Sequence, residues 1–270
     1  MSSMRNEGSK DQEIKDQVRD YFSKTAENYL VKGEIKEPDL LHLLKTLPLT
    51  GRERMLDIGT ATGRTLMAFA PHIGEGAGLD LTPAMLEIAD RESKAAGLTN
   101  LTWQEGDAEN IPFADDSFDL VSARICAHHF PEPGRALAEI ARVLKPGGRL
   151  LLIDNYAPEH DRADAFINRI EILRDHSHVR EWKQSEWKSF FEKAGLSFTV
   201  DFEYRTLHPL GAWTRKSHTP PEITAQIEQD LIAAAQDPEI RDLFEIKQSP
   251  EGEWSFQLFK ALMIGVKPAR

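Results

Sequence analysis

The stretch "LDIGTATGR", residues 56–64, joins an apolar run to two glycines, Gly59 and Gly63. Glycine lets the backbone come close to a ligand, and the N–H groups of a helix starting there attract negative or acceptor groups. A second apolar run, "GLD", ends at Asp80, about 20 residues after Gly59, the separation at which an acidic side chain accepts from ribose hydroxyls and repels a 2′-phosphate. Asp107, in "EGDAENIPF", closes a third run, where a carboxylate can take up the exocyclic amine of an adenine. The three features together call for an adenosine-containing ligand. The dinucleotide pattern G-x-G-x-x-G is absent, because the loop reads Gly59-Thr60-Ala61-Thr62-Gly63.

A fourth run leads into "SARICAHHF", residues 122–130. A residue just after that strand sits over the cleft. Histidine titrates near neutrality and can take a proton from a hydroxyl, an amine or an acidic carbon. His129 and His128 are therefore the candidate catalytic residues, with His129 preferred as base; a space-filling role for either stays open. Arg124 is a candidate partner for a ligand carboxylate. Cys126, the single cysteine, is expected as buried packing. His176 and His178 lie two apart, and Asp154-Asn155 ends a fifth run, but no full ligand set emerges and no metal is expected.

These residues need a scaffold, and the chain supplies alternating strand and helix patterns. "RMLDI", "GAGLD", "NLTWQEGD", "FDLVSA" and "GRLLLID" are strand candidates. Between them come a helix with Thr82 as N-cap and Pro83 at its first position, and "GRALAEIARVLKPGG", a helix stopped by Pro146 and two glycines. Alternation of this kind builds a parallel sheet with helices on both faces. Past Asp154 the rhythm breaks. Residues 155–184 are mixed, "SEWKSFFEKAGL" reads as a helix, and "SFTVDFEY" and "SFQLFKALMIGVK" read as strands flanking two more helical stretches. The expected fold is an α/β, Rossmann-like, doubly wound and mostly parallel sheet of seven strands with helical cap insertions. Residues 1–49 form the N-terminal cap, 50–204 and 251–270 the cofactor-binding core, and 205–250 a helical insertion over the substrate site.

The 270 residues carry a net charge of −11, which argues against nucleic acid or an anionic membrane as the main partner. One cysteine, no signal-peptide pattern and no membrane-length apolar run lead us to expect a cytoplasmic protein, a monomer or homodimer, without membrane insertion.

"LDIGTATGR", "GLDLTPAML", "GDAENIPFADDSFDLV" and "RVLKPGGRLLLID" follow one another as in the class I S-adenosylmethionine-dependent methyltransferases. The chain resembles their type 11, small-molecule branch, which is similar to the ubiquinone/menaquinone C-methyltransferases and their uncharacterised bacterial relatives; "RICAHHFPEP" and "LRDHSHVR" look like those relatives in particular. The resemblance implies S-adenosyl-L-methionine as cofactor, S-adenosyl-L-homocysteine as product and a small, fairly apolar methyl acceptor. It places the turn Gly59, Thr60 and Ala61 at the methionine part, Asp80 at the ribose, Leu81 on the adenine and Asp107 with Ala108 at the adenine edge, and it counts Asp57, Gly63 and Met85 among the cofactor-binding residues. It also folds "VRDYFSKTAENY" over the cofactor, bringing Tyr21, Phe22 or Tyr29 to the sulfonium or carboxylate, with Arg124 near that carboxylate. The family pattern D-x-G-x-G-x-G has Ala61 at its middle glycine, which is compatible with the turn if φ there is negative. Two other readings share the cofactor site: a non-catalytic sensor, and an enzyme of this fold that catalyses a rearrangement.

Overall fold

Unbroken apolar runs make strands here because both faces of the sheet are covered. Leu56 and Ile58 share a buried cluster with one set of helices, whereas Met55, one step out of phase, belongs to another on the opposite face. The same alternation recurs in Leu150 and Leu152 against Leu151 and Ile153. The structure, a computed structural model, describes residues 2–30 and 33–270, with side chains from Lys10 onward.

Five strands, β1 (Arg54–Ile58), β2 (Glu75–Asp80), β3 (Leu101–Glu105), β4 (Phe118–Arg124) and β5 (Leu144–Asn155), pair in parallel. Then come β6 (Thr199–Pro209), the two-residue β7 (Lys247–Gln248) and β8 (Trp254–Val266), all joined through antiparallel pairs. The order is β3-β2-β1-β4-β5-β8-β6, with β7 added on β8. The path has the expected seven strands, and β7 is a short eighth. The strand order reverses between β1 and β4, and ligands of doubly wound sheets bind at that crevice, beyond the strands' C-terminal ends.

The helices are α1 (Ser2–Thr25), α2 (Pro38–Thr46), α3 (Arg64–Phe69), α4 (Pro83–Ala95), α5 (Pro133–Val143), α6 (Asp161–Arg174), α7 (Gln184–Lys193), α8 (Leu210–Lys216), α9 (Pro221–Ala235) and α10 (Pro238–Leu243). In α5 the residues Pro133, Ala136, Leu137, Ile140 and Ala141 are all buried, a stripe at helical spacing that faces the sheet. This helix ends at Val143, ahead of the expected stop. Proline disfavours the helical region at the residue before it, and Leu144 is already extended and paired with Phe118. Residues 155–184, read as mixed, contain α6, which packs with α9 in a separate buried cluster with Trp213 and Phe244.

Helix α1 is tied across the crevice by its polar side chains. Lys15 Nζ donates to Asp107 Oδ2 at 2.7 Å and to Glu109 Oε2 at 2.6 Å, and Arg19 Nε donates to the Leu81 carbonyl at 3.1 Å. Near the end of the same segment, Tyr21 Oη donates to the Ser217 carbonyl and Asn28 Nδ2 lies 2.8 Å from His218 Nε2. The N-terminal segment thus touches both the β2–β3 edge and the end of α8. Among the described residues no helix is long and apolar enough to cross a membrane.

Candidate active site

The turn after β1 is left-handed at three residues. Gly59 has φ +60°, Ala61 +47° and Gly63 +81°. The condition of a negative φ, under which alanine would suit the middle glycine position without strain, is therefore not met at Ala61. Its conformation is held from outside: the Ala61 N–H donates to Asp80 Oδ2 at 2.8 Å, while Thr82 N donates to Asp80 Oδ1 at 2.9 Å. One carboxylate at the end of β2 fixes both its own loop and the neighbouring glycine turn. Beneath the turn, Asp57 is buried and accepts from Thr60 Oγ1 at 2.7 Å and Ser122 Oγ at 2.5 Å. Burial pushes its carboxyl up to about 6, although both hydroxyl donors oppose the rise. Asp57 therefore braces the loop from below. Gly63 opens α3 where a side chain would strike Trp103, with a Cβ 2.6 Å from that ring.

Above the turn lies a cavity of about 450 Å³, within the range of small-molecule sites. Gly59, Thr60, Ala61, Asp80, Leu81 and Met85 line it, as do Asp107, Ala108, Tyr29, Arg124, His128 and His129. Of the residues singled out from sequence, Tyr21, Asp57 and Gly63 stand behind this lining. Tyr21 instead packs edge-on to Phe22, with ring centroids 5.1 Å apart, and it is Phe22 that reaches the cavity. Arg124 reaches the wall with its guanidinium held by fully buried Asp39, Nε to Oδ2 at 2.5 Å. Cys126 is buried with Sγ against the Ile58 carbonyl, and burial pushes its thiol well up.

The two histidines differ in what holds them. His128 is buried; its Nδ1 lies 2.7 Å from Asp154 Oδ1, and its backbone N–H donates to the other oxygen of that carboxylate. The carboxylate fixes the proton on Nδ1 and leaves Nε2 as the acceptor. Burial opposes a charge on this ring, but Asp154, then Glu171 and Asp175, outweigh it and raise the pKa above 6.5. His129 is half-buried, with Nδ1 2.8 Å from the Ser177 carbonyl and its ring edge-on to Phe22. Burial and the charge of His128 push it down to about 4. His178 is buried, its ring lies 5.2 Å from that of His128, and neither of its nitrogens has a hydrogen-bond partner among the described residues. His176 is exposed. Among the described residues no group of three or more His, Cys, Asp or Glu side chains is arranged to hold a metal ion.

Sequence reasoning missed Lys15, Arg174, Asp175, Lys216 and Lys260, all of which line the cavity. It also noted Asp154 without pairing it to His128. The signal was present, since β4 and β5 pair with Arg124 opposite Ile153, which sets the loop after one strand beside the acid ending the other. Lys15, Arg174, Lys216 and Lys260 lie on α1, α6, α8 and β8, and only the folded chain brings those elements together.

A methyltransferase-domain family model matches residues 56–152. Over 248 residues the chain is 39% identical to the uncharacterized methyltransferase YcgJ of Bacillus subtilis (strain 168), covering 91% of this chain and 97% of that protein. The crystal structure of YcgJ aligns with a TM-score of 0.82 at 37% identity, covering 86% of this chain and 99% of that one. The uncharacterized protein YafE of Escherichia coli (strain K12) is 34% identical over 191 residues, 70% of this chain and 90% of its own. The ubiquinone/menaquinone biosynthesis C-methyltransferase UbiE of Bdellovibrio bacteriovorus is 32% identical over 144 residues, 51% of this chain and 61% of its own. The chain belongs to the class I S-adenosylmethionine-dependent methyltransferases.

The turn makes opposite predictions for two neighbouring positions. A Cβ at Gly59 would lie 2.6 Å from Cys126 Cβ, so Gly59→Ala should cost about 1–3 kcal/mol in guanidinium unfolding. Ala61→Gly removes a left-handed alanine and should leave stability within about 1 kcal/mol of wild type or above it. Equal losses at both positions would contradict this account of the turn.

Proposed function

We propose that this cavity binds S-adenosylmethionine and that the chain transfers its methyl group to a small acceptor. The observation that carries the reading is that Asp80, which holds the left-handed turn, and His128, which is paired with Asp154, line one cavity. The fit is chemical as well as spatial. Asp80 offers carboxylate acceptors for ribose hydroxyls, and Asp107 with Ala108 meets the adenine edge. Leu81 and Met85 supply apolar contact, and the bare backbone at Gly59 and Ala61 leaves room for the methionine part. When bound, S-adenosylmethionine supplies a methyl group on a positively charged sulfur and leaves as S-adenosylhomocysteine.

The chain's own task is to exclude water, align the acceptor and remove a proton. His128 suits the last role better than His129. Its Nε2 takes the acceptor's proton, and Asp154 fixes the ring tautomer and stabilises the imidazolium that forms. A base at about 4, as His129 is, is poorly matched to neutral pH, so His129 serves to orient Phe22 and the Ser177 loop. Residues 1–49 act as a cap, with Val18, Phe22 and Tyr29 on the cavity wall, and Lys216, in the insertion 205–250, adds to the same wall. The acceptor meets Phe22, Phe130 and Pro131, which favours one with an apolar side.

Asp80→Ala should weaken S-adenosylhomocysteine binding by about 1–3 kcal/mol in calorimetry, the cost of stranding buried polar partners. Affinity equal to wild type would remove the ribose from this position. With an acceptor in hand, the base assignment is tested by pH. The neutral imidazole is the active form, so the rate should fall as pH drops through the His128 pKa, which lies above 6.5. His128→Ala should lower kcat by about 10²–10⁴, Asp154→Asn should move the acid limb downward, and His129→Ala should leave the limb in place. A limb near 4 that follows His129 would reverse the two roles.

A further inference from the structure

The cavity wall contributed by α6, α8 and β8 is cationic. Lys260 lies on β8 and Lys216 on α8, beside Arg174 at the end of α6 and Arg124 at the end of β4. The sheet order separates this wall from the proposed adenosine site. β8 lies beyond β4 and β5 on one side of β1, and β2 and β3, which lead to Asp80 and Asp107, lie on the other.

The two arginines are already matched and the two lysines are not. Asp39 holds Arg124, and Glu171 Oε2 holds Arg174 at 2.7 Å. Lys260 Nζ reaches the amide oxygen of Asn155 at 2.7 Å, and among the described residues Lys216 meets the face of Tyr29, 5.8 Å from the ring centroid. Neither lysine forms an ion pair with a carboxylate among the described residues. Asp154, Glu181 and Glu171 favour the charge on Lys260 through space, without an ion pair to it among the described residues. Asp154 is bound to His128, Asp175 accepts from the Ser177 N–H and hydroxyl, and Glu181 is fully buried, its carboxyl pushed well up by burial and by Glu171 and Asp154. Burial and then Arg174 and Arg124 depress the Lys216 pKa; burial does the same to Lys260, with Arg124 adding to it against the nearby carboxylates. Lys260 is half-buried and Lys216 exposed, and both face the one cavity, where an anion could bond to each ammonium group.

We propose that the methyl acceptor carries an anionic group, a carboxylate or a phosphate monoester, bound by Lys216 and Lys260. The inference rests on the reading of the cavity as a methyl-transfer site and specifies its acceptor: an apolar side against Phe22 and Phe130, and an anion at the lysines. A wholly neutral acceptor would leave Lys260 with the Asn155 amide oxygen and Lys216 with the Tyr29 ring as its contact once water is displaced.

The test titrates the S-adenosylhomocysteine-saturated protein by calorimetry with 4-hydroxybenzoate, phenyl phosphate and the neutral 4-hydroxybenzamide. At least one of the two anions should bind about tenfold or more tightly than the amide, as expected of hydrogen bonds to charged groups; which one it is separates carboxylate from phosphate. Lys216→Met and Lys260→Met should each weaken that anion by about tenfold and leave S-adenosylhomocysteine affinity unchanged. Lys216 lies on the exposed side of α8, so its variant keeps the core intact, and retained cofactor affinity reports the fold of both. Equal binding of anion and amide, no binding of either anion, or variants that lose cofactor and anion together would each overturn the proposal, the last by assigning the lysines to the cofactor carboxylate. A wild-type protein that takes no S-adenosylhomocysteine would instead overturn the reading of the cavity, and this inference with it.

Discussion

The hydrogen bond from the Ala61 N–H to Asp80 joins the ends of two neighbouring strands, and most of the site depends on it. Alanine does not choose φ +47° unaided, so the turn persists because a carboxylate on β2 holds its backbone donor. Asp57 supports the same loop from beneath through Thr60 and ties it to Ser122 on β4. Asp80 therefore holds the shape of the loop and also lines the cavity. Changing Asp80 would alter both, which is why its effect on affinity is expected to exceed that of a lone contact.

Proton placement forms a second layer. In the cluster of His128, His129 and His178, Asp154 favours charge on His128, while burial and the charge of that ring disfavour it on the other two. Adjacent histidines of equal intrinsic pKa are thereby driven apart, one toward proton uptake and one toward neutrality. Such splitting between neighbouring titratable groups is how a site divides acid–base work from positioning.

Much of the sheet was legible from residues alone. "RMLDI" coincides with β1, and Thr82-Pro83 marks the start of α4, because two-sided burial and a proline at the first helical turn leave strong local signals. Asp80, Asp107 and the glycine turn were legible for a related reason: all follow strand ends, and strand ends of a doubly wound sheet converge. What escaped was long-range. His128 with Asp154 required the β4–β5 register, Lys15 required a helix crossing to another loop, and Lys216 with Lys260 required α8 folded against β8. The sign of φ at Ala61 was missed because it is imposed by Asp80, not by the alanine.

The central claim is that one cavity places an adenosyl cofactor between Asp80 and His128. A crystal structure of the protein grown with S-adenosylhomocysteine tests it most directly. The account predicts ligand density in this cavity, ribose hydroxyls on the Asp80 carboxylate, adenine beside Asp107 and Ala108, and the thioether turned toward His128. Density bound elsewhere, or a ribose that leaves Asp80 untouched, would contradict it.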